Sequence, residues 1–440
     1  MTGAKKAGSI VFLVHYFPPL NSAGGKRIEA LSKYFVRAGR RVAVLTTAKR
    51  APAKAFSESV PEGVEVYPLD WLGRLSRHVV VEGDASALST SGSGGTGLVR
   101  RIKNWVMHWC GQLPDPRLPF GLAFAAPTLA PEARRALEGA DVVIGSSPPW
   151  PMLLAASLVR RRYRKPVVLD YRDHFSECHE MPGSRLAKAV ETLIDARLAR
   201  KATGLVTVSD PMARYYTRWN PSAAVIMNGF DPEVVDQVRR RAHWRPPRAG
   251  AAMTVRYLGV ITPDRVPRNL LAALMHRNTQ GGLNPSAVRF QFYGECSILQ
   301  AVLRDEFEPL LPFFDFKPPV PYQQALELMV TSDYLLFSET SYKKTLSAQG
   351  ILTTKLFEYL ACGRPIIADI DPSMLAGQLI QRCGNHHLVA GSAEPFIELL
   401  ASEAFMKPTQ SIDHPHVQSL SRASQAAQYL ELLDKVCVSA

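Results

Sequence analysis

The stretch SIVFLVHYFPPLNSAGGKRIEALSKYFVRAGRRVAVLTT, residues 9–47, decides the fold. SIVFLVHYF is a largely apolar run of strand length, unbroken from Ile10 to Val14. It precedes a segment whose Ile28, Leu31, Tyr34 and Phe35 recur at helical spacing, and RVAVLTT then supplies a second apolar strand. Continuous Val/Ile/Leu strands separated by helices predict a parallel sheet covered on both faces. The same alternation continues through DVVIGSS, a helix with LLAASLVRRRY, PVVLDYRD, a helix around AVETLIDARLARKA, and GLVTVS. After AAVIMNGFD (223–231) and the Pro-rich, charged RRRAHWRPPRAGAA, a second series begins. It runs MTVRYLGV, a helix near 268–276, VRFQFYGE, a helix near 297–305, FDFKPPV, a helix at 321–331, DYLLFS, TTKLFEYLACGRPIIAD (353–369) and HHLVAG.

At 440 residues, 46% hydrophobic and 21% charged, the chain has the composition of a globular protein of two or three domains. The expectation is an α/β chain of two doubly wound, Rossmann-like domains. The first spans 1–228, followed by a linker at 229–250, a second domain at 251–418 and a C-terminal helix at 419–440 that could pack on either half. In such sheets ligands bind outside the strand carboxyl ends, so chemistry is expected on the loops after strands, in a cleft that both domains face. No solenoid-length repeat is visible.

The pattern breaks between about 72 and 130. ASALSTSGSGGTG (85–97) has linker composition. In the following LVRRIKNWVMHWCGQL, Val99, Ile102, Val106 and Trp109 fall on one helical face beside Arg100, Arg101 and Lys103. A basic amphipathic helix over 98–111 suits either an anionic membrane surface or packing on its own domain. No apolar run approaches the roughly 20 residues of a membrane span. The N-terminal KKAGSIVFLVHYFPPL imitates a secretory signal, but its short apolar core holds His15 and leads into Pro18–Pro19, as a first buried strand would.

Six scattered cysteines without a C-x-x-C suit reduced thiols in a cytoplasm. A zinc site would have to use His174, Cys178 and His179 in HFSECHE, which has no matching second half. The formal net charge of +13 is largely arginine, clustered at 160–165, 197–201 and 239–248. Such a surface favours polyanions or anionic lipid headgroups, or is a solvated basic face. Zinc-finger, KH and RNP signatures are lacking, which argues against nucleic acid.

Four loops can carry chemistry. After the first strand, Gly24–Gly25 open a helix and Asn21 and Ser22 can hydrogen-bond backbone amides, as a phosphate or sugar site or as an ordinary turn. This is not G-x-G-x-x-G, which counts against a nicotinamide enzyme. PVVLDYRD ends in Asp170, Arg172 and Asp173, either a structural ion pair or a site in which Arg172 stabilises negative charge and Asp173 orients hydroxyls or acts as a base, with a solvent-facing His174 beside them. Arg265 and Arg268 lie on a loop opening a helix, where a diphosphate is favoured, or are surface charges. In the stretch 353–369, Thr353 or Thr354 can cap a two-turn helix that Gly363 closes. Lys355 and Glu358 share a face, as a surface ion pair or as a cleft-side carboxylate able to accept both hydroxyls of a ribose.

Taken in order, residues 15–47, PVVLDYRDHFSE, TGLVTVSDPMARYY with VIMNGFD, VRYLGVIT and TTKLFEYLACGRPIIA resemble the retaining glycosyltransferases of family 4 (group 1), which have the GT-B fold. The resemblance covers most of the chain except about 72–130. It implies transfer of a sugar, with retention and without a metal or other cofactor, from a nucleotide-diphosphate donor, UDP- or GDP-sugar being expected. It implies that Glu358 binds the donor ribose, that Gly24 and Gly25 lie near the donor phosphates and the acceptor, and that Arg265 or Lys355 neutralises the diphosphate. Asn21 and His174 fall on the acceptor side, and Arg172 and Asp173 in the reaction centre. Two departures stand out. Gly350 occupies the place of a first glutamate eight residues before Glu358, so Thr353, Thr354 or the backbone of SAQGIL must hold the donor sugar. The RD pair stands where many relatives have His-Asp, as in a subgroup acting on lipid-linked and cell-surface polysaccharides. The expected partners are therefore a nucleotide sugar and a glycan or lipid-linked acceptor, with an anionic membrane contact through 98–111. The expected location is cytoplasmic, at the inner membrane face. An epimerase, a phosphorylase or a non-catalytic scaffold on the same fold are the alternatives.

Overall fold

The structure is a computed structural model that describes residues 7–18, 23–48, 59–69, 105–106, 109–126, 129–178, 183–247, 251–339, 350, 352–384, 386–410 and 414–438. It divides into two units: Met1–Met227 with Thr345–Gly350 and Arg422–Ala440, and Asn228–Lys344 with Ile351–Ser421.

The first unit is built on a seven-stranded sheet in the order β3-β2-β1-β4-β5-β6-β7. Its strands are β1 (Ser9–Val14), β2 (Arg41–Thr47), β3 (Val64–Leu69), β4 (Val142–Ser147), β5 (Val167–Tyr171), β6 (Gly204–Thr207) and β7 (Ala223–Val225). All pairings are parallel, with β1 lying between β2 (Ile10↔Val42) and β4 (Ile10↔Val142). The apolar runs explain the two-sided burial. Val11 and Leu13 enter one core with Trp150, Leu153 and Phe175, while Ile10, Phe12 and Val14 enter another with Ile28, Leu31 and Phe35. Helix Arg422–Val438, whose packing the sequence leaves open, closes that second core through Ala426, Tyr429 and Leu433. Its Asp434 accepts hydrogen bonds from the Ala7 amide at 2.8 Å and from Arg40 at 2.9 Å.

The second unit holds a six-stranded parallel sheet in the order β10-β9-β8-β11-β12-β13. Its strands are β8 (Met253–Leu258), β9 (Val288–Tyr293), β10 (Phe314–Lys317), β11 (Tyr334–Ser338), β12 (Ile366–Asp369) and β13 (Leu388–Ala390). Residues 229–250, expected as a linker, include helix Pro232–Arg241, whose Val235 and Val238 are buried, and fall in this unit.

Both strand orders reverse direction beside the first strand of the series, at β1/β4 and at β8/β11. Doubly wound sheets open their ligand crevices at such points, because the crossovers depart to opposite faces there. Of segment 98–111, only residues 105–106 and 109–111 are described. Trp105, Val106, Trp109 and Cys110 are helical, and Trp105 and Trp109 are 63% and 53% exposed.

Candidate functional site

In the first unit the loops leaving β1, β4 and β5 converge. Gly24 and Gly25 lie inside the first turn of helix Ala23–Arg37 rather than before it. A Cβ at Gly24 would stand 3.0 Å from the Tyr16 ring and 3.1 Å from Arg172 Nη1, so a side chain there would push these groups away from the helix start. Asn21 lies outside the described residues.

At the end of β5, Asp170 and Arg172 do not form the structural ion pair that the sequence allows. Asp170, fully buried, pairs with Arg27 rather than Arg172: Nη2 donates to Oδ1 at 3.0 Å and Nε to Oδ2 at 3.4 Å, while Ser146 Oγ donates at 2.8 Å. Arg27 also donates to the carbonyls of Ile226 at 2.9 Å and Met227 at 2.7 Å, so both charges are satisfied inside the protein. Arg172 lies just past the strand end, where the chain turns. Its guanidinium donates to the carbonyls of Ser147 (3.2 Å), Pro148 (2.6 Å) and Gly24, and burial lowers its pKa. It therefore ties the β4 and β5 loops to the glycine turn. Asp173 beside it is exposed.

His174 is not solvent-facing. It is 4% exposed, edge-on to Tyr215 at 5.0 Å and stacked on Tyr216 at 5.8 Å. The loop that carries it is anchored by a residue invisible to a motif search. Asp195, from helix Arg185–Lys201, accepts from Tyr171 Oη (2.9 Å), Ser176 Oγ (2.8 Å), Ser176 N (3.2 Å) and Tyr216 Oη (3.1 Å). Burial nonetheless raises its pKa to about 6.

In the second unit the strand exits carry a different chemistry. Gly259 (φ +136°) ends the β8 exit and Gly294 (φ +134°) the β9 exit, and a Cβ on Gly294 would stand 2.3 Å from the Gly259 carbonyl oxygen. Both positions admit only glycine. Arg265, on the turn Pro263–Arg265, pairs through Nε with Glu339 Oε1 at 2.5 Å, and the Glu339 side chain, directly after β11, is 1% exposed. The sequence criterion of a charge at the exit of an apolar strand, already applied to β5, would have found Glu339 after DYLLFS. Arg268 instead pairs with exposed Glu306 at 2.6 Å and takes no part here.

Helix Thr354–Cys362 presents its first turns to this exit, pinned there by Tyr359, whose hydroxyl accepts from the Leu258 amide at 2.9 Å. Thr353 occupies the N-cap position, but no side-chain cap bond forms and its Oγ1 is buried without a hydrogen-bond partner in the structure. Lys355 is half-buried, with Nζ 3.8 Å above the Tyr257 ring, so it does not form the surface pair with Glu358 that spacing allows. Loss of hydration lowers its pKa to about 7, with Glu339 acting in the opposite sense. Glu358 is half-buried and accepts from Tyr322 Oη at 2.9 Å, which fixes its carboxylate. Asp369, by contrast, is structural: it accepts from the amides of Asn269 (2.9 Å) and Leu270 (3.1 Å) and caps helix Arg268–Thr279.

Gly350 has a physical reason to lack a side chain, since a Cβ there would stand 2.6 Å from Ser209 Oγ. Among the described residues no group of three or more His, Cys, Asp or Glu side chains could hold a metal ion, and His179 of the HFSECHE segment lies outside them. No helix among them is long and apolar enough to cross a membrane.

The second unit thus brings Arg265 with its Glu339 partner, Lys355 and the start of helix Thr354–Cys362 to the β8 and β11 exits, with the Tyr322-held Glu358 carboxylate one turn further along that helix, a set of groups that can contact a diphosphate and a diol. Residues 22–229 match the family model described as a glycosyl transferase 4-like domain. No curated protein matches the chain. Among solved structures it is similar to TarM (11% identity, 97% of this chain and 98% of that one covered, TM-score 0.58). It is also similar to sucrose-phosphate synthase from Thermosynechococcus elongatus (13%, 98% and 100%, TM-score 0.56). The trehalose-6-phosphate phosphatase N-terminal domain from Candida albicans is comparable (12%, 99% and 98%, TM-score 0.54), so the likeness carries the fold and not an activity. With the two parallel sheets, these findings establish that the chain has the GT-B fold of two Rossmann-like units, with a glycosyl transferase 4-like domain over residues 22–229.

Proposed function

We propose that the protein is a glycosyltransferase that moves a sugar, with retention and without a metal, from a nucleotide-diphosphate sugar to an acceptor hydroxyl. The observation that carries this reading is the set Arg265, Lys355 and Glu358 at the β8/β11 strand exits. In the proposed complex Glu358, held by Tyr322, accepts the two ribose hydroxyls. Arg265, Lys355 and the amides opening helix Thr354–Cys362 face the diphosphate, and Thr353 and Thr354 the donor sugar.

Cleavage of the glycosidic C–O bond leaves an oxocarbenium-like centre and adds negative charge to the departing diphosphate. Arg265, Lys355 once it is protonated beside the diphosphate, and oriented amides stabilise that charge. In the first unit the Arg172 clamp holds the glycine turn at Gly24–Gly25, and Asp173 orients or deprotonates the acceptor hydroxyl. The acceptor is proposed to be a glycan or lipid-linked sugar, with residues 98–111 contributing to an anionic membrane contact. The RD pair and the basic surface support that choice.

Thermal-shift titration with UDP-, GDP-, dTDP- and ADP-sugars tests the donor. Stabilisation by one of them that Glu358→Ala abolishes is the expected result, and no shift with any donor overturns the reading. Gly350 favours one second reading, a non-catalytic nucleotide-sugar binder. Donor binding with no nucleotide diphosphate released in the presence of any glycan acceptor would establish it.

A further inference from the structure

Helix Arg185–Lys201 carries a surface that its place in the fold does not require. Leu186, Val190 and Leu193 are 76%, 36% and 65% exposed, while Ala187, Glu191, Asp195, Leu198 and Ala199 face the interior. At about 100° per residue, Leu186, Val190, Leu193, Arg197, Arg200 and Lys201 fall within one stripe about 100° wide, and the three basic residues are exposed. The stripe is apolar along its first half and cationic along its second. Both acids of the helix turn inward: Glu191 accepts from the Gln112 amide at 2.5 Å and Lys188 Nζ at 2.8 Å, and Asp195 is the buried hub described above.

The apolar half continues beyond the helix. Ser184, its N-cap, donates through Oγ to the Trp109 carbonyl at 2.8 Å, which seats exposed Trp109 at the leucine end, with Trp105 four residues before it. Three branched aliphatics exposed in one stripe, with the Trp109 backbone tied to its start, are more than scattered surface apolar residues.

We infer that this face lies on an anionic lipid bilayer. Leu186, Val190, Leu193, Trp105 and Trp109 enter the headgroup–acyl boundary, and Arg197, Arg200 and Lys201 pair with lipid phosphates. Charge decides the occupant. The stripe carries cations and no exposed acid, matching an anionic headgroup layer, whereas the chain's net charge of +13 opposes a second copy of the same protein. The inference deepens the membrane part of the proposed function by naming the surface and the lipid class. Its test is independent of glycosyl transfer.

Co-sedimentation with phosphatidylcholine vesicles, with and without phosphatidylglycerol, reads the partition coefficient. Full-length protein is expected to bind the anionic vesicles. The pair Leu186→Ser/Leu193→Ser and the pair Arg197→Glu/Arg200→Glu should each weaken binding by about tenfold or more. Brominated lipid should quench tryptophan fluorescence in the wild type and less in the leucine pair. Unchanged binding by the leucine pair overturns the inference. So does a lipid-free dimer, seen by light scattering and lost in that pair, which assigns the face to a second copy. A fall of several degrees in the leucine pair's Tm would show that the protein's own chain covers the face. Nucleotide release with a detergent-dispersed acceptor, measured without vesicles, should be the same in the leucine pair and the wild type. Loss of release in both would sink the glycosyltransferase reading and leave the membrane result standing.

Discussion

Lys355→Met replaces a cation held over Tyr257 by an uncharged side chain of similar length, and the pH dependence of stability should change with it. The folded lysine titrates near about 7 against an ordinary value of 10.5. Between those values the unfolded chain binds a proton that the folded one does not. The penalty is therefore full below about pH 7, and wild-type stability, relative to the methionine variant, rises as pH increases through that window. Taken at face value, the linkage gives a penalty of about 4 kcal/mol at pH 7 and about 2 kcal/mol at pH 9. Two effects reduce it: the Tyr257 face attracts the charged form by about 1–2 kcal/mol, and the lysine is only half-buried. The expected gain of wild type over variant between about pH 7 and about pH 9 is accordingly about 1 kcal/mol. Urea unfolding of both proteins across that range measures it, because every other titrating group cancels in the difference. On the proposed function, a bound diphosphate restores the lysine's proton, so donor binding near pH 8 should take up protons, seen by calorimetry in buffers of different ionisation enthalpy. Parallel stability profiles together with proton-neutral binding would refute the titrating-lysine argument.

Three further outcomes follow from the geometry. Asp170→Ala strands the buried guanidinium of Arg27 and should cost about 3–5 kcal/mol in urea unfolding; a loss under about 1 kcal/mol would mean that the pair is not isolated from water. Gly294→Ala forces a Cβ towards the Gly259 carbonyl and should destabilise by more than about 2 kcal/mol, whereas Gly39→Ala, with nothing within 4 Å, should cost about 1 kcal/mol from its positive φ alone. Equal effects would show that the two exits do not abut. Asp195 titrates in the folded protein near about 6 rather than 3.8, so its contribution is fully present below 3.8 and lost as pH rises through about 6, a difference of about 3 kcal/mol. Asp195→Asn should flatten that part of the stability–pH curve, and an unchanged slope would locate the titration elsewhere.

The sequence alone determined the two parallel sheets. Runs such as IVFLV (10–14) and YLLF (334–337) are apolar at every position, as strands buried on both faces are, and their regular alternation with helical segments carried the architecture. It also located the strand exits, and with them Arg265, Lys355 and Glu358. Tertiary structure decided the partners of those residues. Nothing local indicated that Asp170 would take Arg27, 143 positions away, in place of Arg172, or that the guanidinium of Arg172 would go to backbone carbonyls. His174 shows the same limit: a histidine after an exposed aspartate looks solvent-facing until Tyr215 and Tyr216 fold over it from a separate helix. Spacing placed Lys355 and Glu358 on one face, but β8 brought Tyr257 under the lysine and helix Tyr322–Val330 brought Tyr322 to the glutamate. Helix Arg185–Lys201 is the clearest case, because its acids and its leucines alternate too closely to rank by sequence. Asp195 and Glu191 turned inward because hydroxyls and amides from distant segments satisfy them there, and Leu186 and Leu193 were left outside. Local periodicity is written in neighbouring residues; the choice of partner is a long-range competition among donors and acceptors that only the folded chain resolves.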